Sequence, residues 1–216
     1  MNRITKNPMN NKEDVLQALV EEIRISAHAD RLARDRYDSL GGWLDRQDST
    51  LHGLQPVIYP QGSFLLGTAI RPVGDGNAYD VDLVVVLEKA SQELFTQARL
   101  KEMVGNEIKA YAKANGLKAE PQPKRRCWTL EYSDSVQFHL DVLPALPASR
   151  DEIVQNLGFK RASAFAETRG GLDKTVIAIT DDKDSGFHDA AGRWPLSNPK
   201  GFGAWFRLTQ EANIEE

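Results

Sequence analysis

Asp-Val-Asp-Leu-Val-Val-Val-Leu, residues 80–87, decides how this chain is read. The stretch is β-branched and almost wholly apolar, which predicts a central strand buried on both faces. Asp80 and Asp82 are the exceptions, and they are spaced i, i+2. On a strand that spacing puts both carboxylates on the same face. Two carboxylates so placed repel unless a cation lies between them, and a divalent ion is the usual answer. Leu83–Leu87 then runs into the core and makes the strand a stiff support for ligands at its open end.

Upstream, Val-Ile-Tyr-Pro (57–60) predicts a short strand, and Gly-Ser-Phe-Leu-Leu-Gly-Thr-Ala-Ile (62–70) a short helical segment closed by Gly67 and Thr68. Gly62 lets the backbone approach a phosphate closely. The following amides and the Ser63 hydroxyl are suited to donate to phosphate oxygens at a helix start. Downstream, residues 91–115 predict a helix carrying Leu94, Val104, Ile108 and Tyr111, stopped by Gly116. Arg-Cys-Trp-Thr-Leu-Glu-Tyr (126–132) and Val-Gln-Phe-His-Leu-Asp-Val-Leu (136–143) predict a hairpin turning at 133–135.

Asp141 lies between Leu140 and Val142 in the second arm of that hairpin. An acidic side chain inside an apolar strand is costly unless paired or bound to a cation. If this strand lies beside the Asp80 strand, three carboxylates converge. That set suits two Mg²⁺ or Mn²⁺ ions for in-line phosphoryl transfer, with Asp80, Asp82 and Asp141 as both metal ligands and catalytic residues.

A further strand is predicted at 175–180. Asn198-Pro199 then reads as an N-cap and first helical position, opening a helix with Phe202, Trp205, Phe206 and Thr209 on one side. Three aromatics so close predict that this helix has more than one packing partner. At the other end, residues from about 12 to 40 predict one long helix, capped by Asn11, with Glu13 and Asp14 in its first turn and Gly41-Gly42 ending it. Its stripe of Leu16, Leu19, Val20, Ile23, Leu32, Ala33 and Leu40 predicts core packing.

The fold class is therefore α/β or α+β on a mixed sheet. We divide the chain into an N-terminal helical segment (1–55), a catalytic core (56–185) and the start of a C-terminal helical lobe (186–216). A chain of 216 residues can bury one good core, and 41% apolar with 27% charged residues is ordinary for a globular protein. No apolar run is long enough to span a membrane. The start MNRITKNPMNNKEDV lacks the apolar core of a secretory signal. Cys127 is the only cysteine, which excludes an intramolecular disulfide, fits a reducing cytoplasm and reads as packing. The net charge of −4 argues against long nucleic acid as the main ligand, which needs a large basic footprint. Small phosphorylated substrates arriving with divalent cations remain suited.

Several residues carry a sharp and a bland reading. His139 shares the face of Asp141 and either orients a metal ligand or is a hydrogen-bonded structural histidine; the latter is the expectation. Asp181-Asp182-Lys183-Asp184 lacks the spacing of a calcium loop, so a solvated loop is expected. Lys124-Arg125-Arg126 is too small a basic cluster to assign to triphosphate or nucleic acid. Asp75-Gly76-Asn77 is turn chemistry, and Trp194 beside Pro195 reads as packing rather than base stacking.

Taken together, QGSFLLGTAIRP (61–72), YDVDLVVVL (79–87) and FHLDVLPA (138–145) resemble the polymerase-beta-like nucleotidyltransferases. WPLSNPKGFGAWF (194–206) narrows the resemblance to the bacterial oligonucleotide cyclases related to cyclic GMP-AMP synthase, the CD-NTases. It covers about residues 55–206. The resemblance implies a Gly-Ser motif at Gly62 and Ser63 holding the β- and γ-phosphates, a metal-binding pair at Asp80 and Asp82, and a third ligand at Asp141. It also implies nucleoside triphosphate substrates such as ATP or GTP, cyclic or linear oligonucleotide second messengers in antiphage defence, and a regulatory or defence-operon protein partner. Family members continue into a helical lobe of which this chain, ending at Glu216, is expected to hold only the start. The alternatives are a toxin–antitoxin type transferase that modifies RNA or protein, and a nucleotide-binding module without turnover.

Overall fold

The computed structural model describes residues 12–74, 77–133, 136–157, 172–190 and 192–214. The chain runs α1 (Lys12–Ile23), α2 (Ala27–Leu44), β1 (Pro56–Pro60), α3 (Gly62–Leu66), β2 (Tyr79–Leu87), α4 (Gln97–Ala114), β3 (Gln122–Pro123), β4 (Trp128–Ser133), β5 (Gln137–Pro147), α5 (Arg150–Leu157), β6 (Ile177–Ile179), β7 (Leu196–Ser197) and α6 (Pro199–Ile214). All strands join one mixed sheet in the order β1-β2-β5-β4-β3. β6 pairs with the later part of β5, beyond β4, and β7 pairs with β6.

β2 and β5 are parallel, while β1 and β4 flank them antiparallel. The alternation along β2 divides the sheet into two faces. Val81, Leu83, Val85 and Leu87 point to one side and join the main core with Leu40 and Leu44 of α2 and Leu100, Val104 and Ile108 of α4. The register of β5 sends Leu140 and Val142 to the same side. Trp128 locks α4 onto the sheet: its indole Nε1 donates to the Lys101 carbonyl at 2.9 Å. A Cβ on Gly105 would run into that ring.

The opposite face carries a smaller buried cluster of Val84, Val86, Leu143, Ala145, Ile177 and Ile179, flanked by Tyr59 and Cys127. Asp80, Asp82 and Asp141 continue this face toward the start of β2.

The N-terminal region departs from expectation. It forms two helices, broken at Arg24-Ile25-Ser26, and Ser26 caps the second by accepting from the Ala29 amide at 3.1 Å. Arg24 instead bridges to Ile70. Gly41-Gly42 does not end α2, which continues to Leu44. Gly41 is instead a close-approach site, where a Cβ would stand 2.6 Å from Ile58 Cγ2. The stripe also divides: Ala33 and Leu40 are in the core, but Leu16, Leu19, Val20 and Ile23 of α1 are exposed. The proposed cap at Asn11 and the turn residues Asp75 and Gly76 lie outside the described residues. The central helix starts late, at Gln97 with Thr96 as cap, and leaves Leu94 exposed. Trp194 is buried in the main core, as its packing reading expects.

α6 begins as its sequence predicts. Asn198 Oδ1 accepts from the Gly201 amide at 2.8 Å and from Thr175 Oγ1 at 2.8 Å. A Cβ on Gly201 would collide with the capping side chain, and one on Gly203 would press on Leu65 of α3 at 3.0 Å. Both glycines of Pro-Lys-Gly-Phe-Gly are thus packing requirements. Phe202 and Trp205 stay largely exposed.

Candidate active site

Asp82 and Asp141 are direct neighbours in the parallel pairing of β2 and β5, and Asp80 stands opposite His139. The two-residue period then places Asp80, Asp82, His139 and Asp141 on one face at one end of two adjacent strands. This is the juxtaposition that the motif spacing alone left conditional.

The environments of the three carboxylates differ. Asp80 is open to solvent, 82% exposed, and meets His139 Nδ1 at 3.3 Å. Asp82 is half-buried. Burial above all, and then the charges of Asp141 and Asp80, raise its proton affinity, while Lys124 works against them. Asp141 is held at Oδ1 by the buried Thr129 hydroxyl, from the residue directly across on β4. Lys124 Nζ lies 3.3 Å from each Asp141 oxygen.

Gly62 closes the site from the β1 side. The Gln61 amide donates to the Asp82 carbonyl at 2.8 Å, so the chain leaves β1 directly over Asp82. Gly62 has φ +58°, and a Cβ there would stand 2.7 Å from Asp82 Oδ2. Glycine is therefore required twice, by its left-handed conformation and by its nearness to the carboxylate. Ser63 follows in the first turn of α3. Beside Gly62 a cavity of about 260 Å³ runs between Gln61, Leu65, Asn198 and Phe202, joining α3 to the start of α6.

Among the described residues, no three acidic, thiol or imidazole groups already form a coordination shell. Asp141 is instead engaged by Thr129 and Lys124. The donor set is nonetheless all hard oxygen, from adjacent positions on two rigid strands, as Mg²⁺ or Mn²⁺ requires.

Sequence reasoning overlooked two contributors and misread a scaffold residue held by the same basic cluster. Thr129 is found only through cross-strand register. Lys124 is visible in the basic cluster, but its partner is not. Asp181 does not lie in a solvated loop: its side chain is 4% exposed and takes two bonds from Arg125, at 2.7 and 2.8 Å, and one from Arg126 at 2.9 Å. These arginines, Arg125 foremost, bring its pKa down to about 2. Gln97 Oε1 accepts from the Asp181 amide at 2.8 Å, and Lys101 pairs with Asp182 at 3.0 Å. Cys127 adjoins Asp141, and burial first, then that charge, pushes its thiol up to about 12. It stays protonated at neutral pH, as a packing residue should.

This arrangement, a mixed sheet with a Gly-Ser turn over a two-strand carboxylate end, is the one that the sequence resemblance to nucleotidyltransferases leads one to expect. Residues 56–144 match the family model of the nucleotidyltransferase domain of cyclic GMP-AMP synthase DncV-like proteins. The chain is 28% identical over 205 residues to a c-di-GMP synthase of Roseivirga ehrenbergii, covering 94% of this chain and 45% of that protein. Its fold matches the Bradyrhizobium diazoefficiens CD-NTase CdnG in complex with GTP at TM-score 0.62 and 21% identity, covering 92% of this chain and 48% of that one. It also matches Vibrio cholerae DncV cyclic AMP-GMP synthase bound to a linear intermediate, at TM-score 0.54 and 14% identity, over 88% of this chain and 57% of that one. The chain spans about half the length of these relatives. It is similar to the bacterial CD-NTases in sequence and in fold.

Proposed function

We propose that this chain carries the catalytic core of an enzyme that joins nucleoside triphosphates, such as ATP or GTP, into cyclic or linear oligonucleotide second messengers. The observation that carries this reading is the register of Asp82 against Asp141 beneath the Gly62 backbone. The relatives support it, one being named a c-di-GMP synthase and another having been solved with GTP.

In this reading Asp80, Asp82 and Asp141 hold two Mg²⁺ or Mn²⁺ ions. Such ions, when bound, neutralise polyphosphate charge and acidify the attacking hydroxyl. Asp82 and Asp141 converge from the two strands, and Asp80 adds a solvent-side ligand at the mouth. Thr129 orients Asp141, and His139 steadies Asp80. Gly62 leaves room for the polyphosphate to approach the backbone, and the Ser63 hydroxyl donates to its oxygens. Asp141 takes up the proton of the acceptor hydroxyl.

Residues 186–216 would begin a helical lobe forming the far wall of the cleft. The exposed Phe202 and Trp205 on α6 are the surface such a lobe would cover. Among the described residues no helix is long and apolar enough to cross a membrane; a cytoplasmic enzyme of antiphage defence with a regulatory protein partner is the setting that the family resemblance suggests.

The test is to incubate the purified protein with ATP, GTP, CTP and UTP and Mg²⁺ or Mn²⁺, and resolve products by mass spectrometry. Oligonucleotides and pyrophosphate are expected, and both should vanish in Asp80→Asn/Asp82→Asn. Triphosphate binding without turnover would favour the binding module, and nucleotides attached to RNA or protein the toxin-like transferase.

A further inference from the structure

Lys124 is set beside the carboxylates in an unusual manner. Its backbone is fixed, because its amide donates to the Cys127 carbonyl at 2.9 Å and its carbonyl accepts from the Lys101 ammonium. Lys101 is itself buried and tied to Asp182. The Lys124 side chain, by contrast, is 53% exposed and reaches back over Asp141. Its ammonium sits equally, 3.3 Å, from both oxygens. That is the stance of a point charge held by attraction, not of a directed, closely fitted hydrogen bond. The same charge acts on Asp82.

Its neighbours in the basic cluster behave differently. Arg125 and Arg126 are turned away onto the buried Asp181. Among the described residues, Lys124 is thus the cationic side chain that faces the Asp82–Asp141 pair. A guanidinium here would clamp the carboxylate through two parallel bonds, whereas an ammonium on a four-carbon stem lets go easily.

We propose that Lys124 is the resident counter-ion of the Asp82–Asp141 pair, occupying the cation position until a divalent ion and its triphosphate displace it. This rests on the reading of the three aspartates as metal ligands. A divalent ion of the Mg²⁺ class binds oxygen at about 2.0–2.1 Å. It needs the Asp141 lone pairs that Lys124 faces, and its charge repels the ammonium. Thr129 keeps Asp141 in place during the exchange. The displaced ammonium then has the polyphosphate as its nearest new anion. Lys124 therefore opposes a bare ion and favours an ion that arrives with a triphosphate, so the two load together. It is a positioning residue that acts through Asp141.

The test is Mn²⁺ titration of the protein, followed by the electron paramagnetic resonance of free Mn²⁺, with and without a non-hydrolysable GTP analogue. Lys124→Met keeps the stem and removes the charge. Without nucleotide it should bind Mn²⁺ about three- to tenfold more tightly than the wild type, with a smaller gain on adding the analogue. Lys124→Arg should bind no more tightly than the wild type. A merely structural role would leave Mn²⁺ affinity unchanged or weaken it, and either result for Lys124→Met overturns the proposal. Asp82→Asn separates this failure from the broader one. If it abolishes Mn²⁺ binding while Lys124→Met has no effect, the aspartates remain ligands and only the counter-ion role falls. If neither the wild type nor Lys124→Met binds Mn²⁺ even with the analogue, both readings fall.

Discussion

Asp82 and Asp181 are both aspartates removed from much of the solvent, and the protein treats them in opposite ways. Asp181 is enclosed and fully answered: two arginines and the Lys183 amide converge on it, and its pKa falls to about 2. Asp82 is half-buried among its own kind, with Asp141 and Asp80 alongside, and its proton affinity rises. A buried charge whose partners are complete is part of the scaffold. One whose partners are of the same sign awaits something from outside. Three consecutive residues serve the two groups, Lys124 pairing with Asp141 beside Asp82, and Arg125 and Arg126 with Asp181.

The sharpest break in this comparison is to neutralise one carboxylate from each group. Asp141→Asn should lower triphosphate turnover by about a thousandfold, measured by product formation, with its thermal melt within a few degrees of the wild type. Asp181→Ala should do the reverse and lower stability by about 2 kcal/mol, read by urea unfolding. Loss of a buried ion-pair partner costs about 3–5 kcal/mol, reduced here because the arginines are half exposed.

A smaller effect follows from acid. With a folded pKa of about 2 against an unfolded value near 3.8, Asp181 contributes stability that is fully present above about pH 4. That contribution is lost as pH falls from about 4 toward 2. The sign follows because the unfolded chain binds the proton first. The loss should be on the order of 1–2 kcal/mol after discounting for the exposed arginines, and Asp181→Asn should flatten the stability profile over this window. Gly62→Ala should cost about 1–2 kcal/mol through its positive φ and should raise the KM for triphosphate, because the new methyl presses on Asp82. The smallest change is a gain: Asp82→Asn relieves like-charge repulsion and should make the metal-free protein at pH 7 more stable by about 0.5 kcal/mol. A drop in melting temperature instead would mark Asp82 as a scaffold residue like Asp181.

The carboxylate motif was legible because it lies along one strand: β-branched composition revealed β2, and a two-residue period put Asp80 and Asp82 together. The Gly-Ser turn and the Asn198 cap were legible for the same reason, since each is a local device. What escaped depends on contacts between distant segments. Thr129 and Lys124 reach Asp141 only because β4 pairs in one particular register. Asp181 resembled an exposed acidic run because nothing in its neighbourhood of sequence announces Arg125 and Arg126. The stripe over 12–40 matched a helical period, and yet a period cannot say that Ser26 restarts the helix or that the α1 half faces solvent.

The parallel pairing of β2 with β5 carries a kinetic consequence. Asp82 and Asp141 face one another across 59 residues of chain (141 − 82 = 59), and a parallel neighbour cannot be supplied by a tight turn. The ring closure must wait for α4 to dock and for the β4–β5 hairpin to form and swing in, so the entropic cost of joining distant ends comes due before the contact rewards it. During synthesis, a nascent chain that has emerged only as far as Ser133 has β1 along one edge of β2 but no strand on the edge that β5 fills. The apolar edge of Val81–Val86 then stays open to water and to other strands. Chain collapse is thereby tied to the arrival of β5, and the segment that delivers Asp141 also seals the sheet against misassembly.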